Sequence, residues 1–147
     1  ILRPYYNNVG NRFIKTPKVY FMDTRLACYL TGWKTPEVLE SGAMSGNMFE
    51  TYVVSEIIKS YWHNGKQPDI YYYRDKEKRE IDVLLHENGT LYPVEIKKKS
   101  NPDKGDIKAF NVIETLKQKR GTGAVVCMAQ THLPLTGDVN IIPVGYL

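Results

Sequence analysis

Asp82 and Glu95 flank an Asn88-Gly89 pair in the stretch Glu80-Ile81-Asp82-Val83-Leu84-Leu85-His86-Glu87-Asn88-Gly89-Thr90-Leu91-Tyr92-Pro93-Val94-Glu95-Ile96-Lys97. Asn-Gly is a strong signal for a two-residue hairpin turn, whose central positions need positive φ. With Asn88 and Gly89 as the loop, Glu87 faces Thr90, and counting back sets Asp82 opposite Glu95 and Glu80 opposite Lys97. Hydrogen-bonded and non-bonded pairs alternate along such a ladder, so the two acids meet at a non-bonded pair, where side chains lie closest. Pro93 also falls at a non-bonded site, where its missing N–H removes no ladder bond. Ile81, Val83, Leu85, Tyr92, Val94 and Ile96 take the opposite face. One face is then core and the other chemical.

Like charges placed across a strand pair destabilise it by roughly 0.2–1 kcal/mol, so the acids need an offset. A divalent cation, Mg2+ or Mn2+, is the simplest candidate: Mg2+ takes oxygen ligands, usually one or two carboxylates, and keeps waters for chemistry on phosphates. Lys97 lies two residues beyond Glu95 on the same face, where an ammonium could orient or help deprotonate such a water. The alternative is a solvated outer face in which Lys97 pairs with Glu80 and the acids point into water.

The elements that position these residues follow from periodicity and turn signals. Residues 1 to 17 carry turn signals at Asn7-Asn8, Gly10-Asn11 and Pro17 and resemble the tail of a hairpin or wing. Lys18 to Met22 reads as a short strand, Asp23 caps a helix from Thr24 to Thr31 ended by Gly32, and Thr35 to Ala43 is a connector. Ser45 to His63 is the strongest helix, with Phe49, Val53, Val54, Ile57, Ile58 and Tyr61 as its apolar stripe. Glu50 stands within that stripe, and a carboxylate on a core-facing side needs a partner. It is either a third acid close to the metal or half of a salt bridge; Glu56 flanks the stripe and suits solvent better. Ile70 to Arg74 is a strand, the hairpin follows, Lys104 to Lys117 reads as a helix, and Ala124 to Ala129 and Val139 to Val144 complete the strands. The expected fold class is therefore α/β, with a mixed central sheet of about five strands flanked by helices. Residues 1–43 form a short N-terminal strand/helix extension to a main domain over 44–147.

The 147 residues, 42% hydrophobic, suffice for one core. The chain begins at Ile1 without a methionine, as a fragment would. No apolar run approaches a membrane span, and Cys28 and Cys127, far apart among apolar residues, read as buried free thiols of a reducing, cytoplasmic compartment. The lack of a Cys/His cluster argues against zinc, and His63, His86 and His132 are scattered and read as structural. A net charge of +4 permits a polyanionic partner without demanding one. Lys97, Lys98, Lys99, Lys104 and Lys108 cluster after the acid pair, either as a phosphate-binding flank or as a solvated face.

A helix carrying an acid, a strand carrying Asp, and a neighbouring strand carrying Glu-Xaa-Lys, then a helix and a strand, resemble the core order of the PD-(D/E)XK nuclease superfamily at Glu50, Asp82, Glu95 and Lys97. A longer resemblance covers nearly the whole chain. Pro4-Tyr5-Tyr6-Asn7-Asn8, Lys15 to Thr24, Gly46 to Glu56, Tyr72-Tyr73-Arg74-Asp75, Glu80-Ile81-Asp82 and Pro93 to Lys97 are similar to the C-terminal domain of unknown function that follows the ATPase module in many prokaryotic AAA+ family ATPases. Arg25 stands where that family usually has glycine, outside the proposed site. The resemblance implies a restriction-endonuclease-like core, and an upstream ATP-binding module with a winged-helix-like connector of which residues 1–43 are a remnant. No Gly-Xaa4-Gly-Lys-Ser/Thr phosphate loop occurs in this chain.

On that resemblance Asp82 and Glu95, with the carbonyl of Ile96, would bind metal, Glu50 a second metal or a water, and Lys97 would position the attacking water. Arg74, Lys98, Lys99, Lys104 and Lys108 would hold DNA phosphates, a contribution that weakens steeply with salt. The competing expectation is a non-catalytic DNA-binding or protein-docking module that regulates the attached ATPase. Acid/base catalysis on a sugar is weaker, since it leaves Lys97 and the basic flank without a role.

Overall fold

Asn88 and Gly89 adopt φ of 50° and 72°, the left-handed conformation that a tight hairpin turn needs and that these residue types tolerate. In the computed structural model, which describes residues 1–6, 16–33 and 35–147, this turn joins two central strands of a mixed α/β fold. The turn signals at Asn7-Asn8 and Gly10-Asn11 lie outside the described residues.

In chain order the elements are β1 (Arg3–Pro4), α1 (Thr24–Leu30), α2 (Pro36–Ser41), α3 (Ser45–His63), β2 (Ile70–Arg74), β3 (Glu80–Glu87), β4 (Thr90–Lys97), α4 (Val112–Thr115), β5 (Lys119–Arg120), β6 (Gly123–Cys127), β7 (Leu133–Pro134) and β8 (Val139–Pro143). A 3-10 turn, Lys108–Asn111, leads into α4. One eight-stranded sheet runs β1-β2-β3-β4-β6-β8-β7, with β5 beside β4. β2, β3 and β4 are antiparallel, whereas β4, β6 and β8 are parallel. The five strands expected from Ile70 onward are all there; β1, β5 and β7 are two-residue strands, too short to leave a periodic signal.

Both faces of the sheet are covered. α3 lays Val53, Val54 and Ile57 against Val83, Val94, Ile96 and Val126. On the other face Phe110, Val112 and Ile113 close over Ile81, Leu84, Leu91 and Val125. Leu84 and Leu91, on the face the hairpin count assigns to chemistry, are fully buried. The division into one core face and one chemical face therefore fails along most of the hairpin, and the chemistry is confined to its open end.

The counted register holds from Glu87–Thr90 through Leu84–Pro93 to Val83–Val94, and there the β3–β4 ladder stops. The reason lies on the other side of β3. Tyr71 pairs with Leu84 but Tyr73 pairs with Ile81, so Asp82 and Val83 together stand against Tyr72 alone. Such a bulge bends the strand and re-aims its side chains. Ile81 turns away from Val83 to join Leu84 and Leu91, and Glu80 no longer opposes Lys97.

Three other expectations are corrected. Lys18 to Met22 forms only a single bridge, Lys18 to Leu2, rather than a strand. Thr35 to Ala43 contains a helix, α2, whose Thr35 side chain caps it and whose first residue is Pro36, a start signal legible in the sequence. The helix over Lys104 to Lys117 shrinks to the 3-10 turn and α4. There Asp103 accepts from Gly105 N (2.6 Å) and Asp106 accepts from Asp103 N (2.7 Å), local bonds that compete with helix formation. Leu2 is buried beside Val53 and Val54, so the N-terminal residues contribute to the main core. Cys127 is buried but Cys28 is only half-buried, and both are free. Among the described residues no helix is long and apolar enough to cross a membrane.

Candidate functional site

At the open end of the hairpin Asp82 Oδ2 accepts a hydrogen bond from Ile96 N (2.8 Å), the residue after Glu95. The bulge thus carries the Asp82 carboxylate onto the stretch of β4 that holds Glu95. Glu95 is 5% exposed; its Oε1 meets Lys97 Nζ at 2.7 Å, while its Oε2 is buried without a hydrogen-bond partner. A buried carboxylate oxygen left unpaired is costly and is the kind of atom a cation would satisfy.

Burial, then the charge of Glu50, pushes the Asp82 carboxyl up to about 6. Burial, then the charge of Asp82, pushes Glu95 up to about 7. Burial works most strongly, to lower the Lys97 pKa, but the bond to Glu95 and the charges of Glu95, Asp82 and Asp106 together outweigh it and the net shift is upward. Lys97 therefore stays an ammonium and is unsuited to removing a proton; positioning is the role left to it.

The raised carboxyls set a pH dependence. Folded Asp82 and Glu95 keep protons that the unfolded chain releases near its ordinary carboxylate values, so in metal-free protein stability falls as pH rises from about 4 towards 7. The expected slope approaches ~1.4 kcal/mol per pH unit for each extra proton held. Urea unfolding across this range should show it, and Glu95→Gln should flatten it; an unchanged slope in that variant would contradict the burial argument.

Glu50 is held elsewhere. Its Oε1 accepts from Lys18 Nζ (3.0 Å) and Tyr20 OH (2.5 Å), and Lys18 also meets Glu80 at 2.5 Å. Glu80 is shared with Arg74, and so does not pair with Lys97 as the solvated-face alternative requires. Glu50 acts on Asp82 through its charge, yet among the described residues no three His, Cys, Asp or Glu side chains converge closely enough to hold one ion. The expected set of three acids and the Ile96 carbonyl is not assembled; two acids are, and the contact of Ile96 with Asp82 is through its N–H. Glu56 pairs with Lys59 on the helix surface.

Sequence reasoning passed over Lys18, Tyr20 and Asp106. Asp106 adds negative charge near Glu95 and Lys97. The alternation of Lys18 and Tyr20 with apolar Val19 and Phe21 was the available signal for the first two.

Three of the five basic residues, Arg74, Lys98 and Lys99, are engaged by acids of the fold. Arg74 pairs with Glu80, Lys98 with Glu40 and with the Ser45 hydroxyl, and Lys99 with Asp103 and Asp106. Lys104 and Lys108 are exposed. His86 Nδ1 meets Asp69 at 2.7 Å, a structural tie at the far end of β3.

Residues 45–147, the span from α3 to the C-terminal end that contains Glu50, Asp82, Glu95 and Lys97, match the family described as "Domain of unknown function (DUF4143)". The chain belongs to the DUF4143 family. Two mycobacterial proteins resemble this DUF4143 chain over most of its length. "Uncharacterized protein Mb2031c" of Mycobacterium bovis and "Uncharacterized protein Rv2008c" of Mycobacterium tuberculosis are each 31% identical over 142 residues, covering 97% of this chain. This DUF4143 chain spans 31% of the length of either relative. No solved structure matches it.

Proposed function

We propose that this DUF4143 chain carries a metal-dependent phosphodiesterase site of the PD-(D/E)XK type acting on DNA, within the C-terminal part of a larger AAA+ family ATPase. The observation that carries the reading is the unpaired, buried Glu95 Oε2 beside an Asp82 carboxyl re-aimed by a bulge. This donor set fits Mg2+ or Mn2+, hard cations that take one or two carboxylates and complete their shell with water. Asp82 and Glu95 would hold the ion, which when bound supplies Lewis-acid stabilisation of the charge developing on a phosphodiester. Lys97 fixes Glu95 Oε1 and keeps a positive charge at the rim, where a phosphate oxygen would lie. The resemblance in motif order extends the reading to a restriction-endonuclease-like core.

A second reading, a docking module that regulates the attached ATPase, is favoured by one feature. An open, mainly apolar groove of about 610 Å³ lies between α1, α2 and α3, lined by Tyr29, Trp33, Leu39, Phe49 and Met128. Incubation of the chain with supercoiled plasmid and Mn2+ separates the two. Nicking that requires metal and disappears in Asp82→Ala supports the site; no nicking, or nicking retained in that variant, favours docking.

A further inference from the structure

Residues 16–21 cross the acid cluster as an extended strap whose side chains alternate against expectation. Lys18 and Tyr20 point to the protein, while Val19 and Phe21 are 73% and 51% exposed. Apolar burial fastens the strap at the Tyr20 ring, which packs against the α3 core, and not at Val19 or Phe21. The other ties are polar: Tyr72 OH donates to Thr16 O (2.8 Å), Lys18 exchanges two backbone bonds with Leu2 (2.8 and 3.0 Å), the Lys18 side chain reaches Glu50 and Glu80, and Tyr20 OH reaches Glu50. Segments with few buried apolar contacts open at low free energy.

Four carboxylates gather here. Glu50 and Glu80 are joined by the Lys18 ammonium, and Asp82 and Glu95 follow across the bulge. Lys18 also acts on Asp82 through its charge and lies 5.4 Å from the centre of the Tyr72 ring. At Glu95 Oε2, a buried oxygen that no donor reaches, the neutralisation is incomplete.

We infer that Lys18, beside Arg74 on Glu80 and Lys97 on Glu95, is the counter-ion that a detachable strap delivers to the acid cluster, and that a divalent cation enters the cluster in competition with it. The inference rests on Asp82 and Glu95 being cation ligands. Two positive charges in one cluster repel, so the ion's affinity is reduced while Lys18 is seated, and displacement of Lys18 frees Glu50 from its clamp. Movement of residues 16–21 then couples whatever pulls on the strap to the state of the site.

Calorimetric titration of Mn2+ into wild type, Lys18→Met and Lys18→Arg tests this. Lys18→Met should bind Mn2+ about tenfold tighter, while Lys18→Arg, which keeps the charge, should match wild type. A merely structural role for Lys18 would weaken binding in the methionine variant instead. Equal or weaker affinity in Lys18→Met would overturn the competition and leave the Asp82–Glu95 reading standing; no binding by any form would overturn that reading and the competition with it. Should Lys18→Met fail to fold by circular dichroism, Lys18→Gln keeps an amide donor for Glu50 and carries the same comparison.

Discussion

Phe110→Ala should destabilise the chain by about 3–5 kcal/mol, a large part of the ~5–15 kcal/mol that an ordinary domain possesses. Phe110 is fully buried at the centre of the cluster that covers Ile81, Leu84 and Leu91. Its ring lies against β6 so closely that a Cβ on Gly123 would come within 2.8 Å of it, which is why glycine stands there. Neighbours so tightly placed close only part of the cavity left by truncation, so a cavity term adds to the lost transfer energy. Urea unfolding followed by circular dichroism reads the effect. A loss below about 1 kcal/mol would mean that this face is open, as the simple hairpin count had it.

Glu95→Ala should lower metal-dependent cleavage by about a thousandfold, equivalent to ~4 kcal/mol of transition-state stabilisation, the scale that a missing Lewis acid would account for. Stability should move the other way. Glu95 is buried with one oxygen unpaired and its carboxyl pushed up to about 7, so the metal-free fold carries it as a burden at neutral pH. A variant that is folded, at least as stable and inactive separates a functional acid from a structural one. Cleavage at wild-type rate would remove Glu95 from the site, and loss of stability would make it half of a structural ion pair with Lys97.

What the sequence made legible was local. The Asn88-Gly89 turn fixes the register of the residues beside it by backbone geometry, and the pairing follows that count as far as Val83–Val94. The bulge at Asp82 was not legible, because it arises from how β3 pairs with β2 and leaves no mark on the alternation of β3 itself. Glu50 was singled out for its place on the α3 stripe, and the need for a partner was correct. Its partners Lys18 and Tyr20 are 32 and 30 residues away in sequence, across a connector that no period relates to α3. The Lys104–Lys117 helix failed for a different reason: Asp103 and Asp106 bond to nearby backbone N–H groups, and the apolar residues Phe110, Val112 and Ile113 need only a short irregular segment to cover the sheet. The basic flank read as a phosphate surface because the sequence lists its lysines together, whereas the fold brings Glu40 and Glu80 to Lys98 and Arg74 from other elements.

Calorimetric titration of Mn2+ into wild type and Glu95→Gln tests the central claim, that Asp82 and Glu95 form a cation-binding pair, most directly. The substitution removes the charge and keeps the shape. Binding in wild type that weakens at least about tenfold in Glu95→Gln is the expected result. Identical isotherms for the two proteins, or no binding by wild type at millimolar metal, would contradict it.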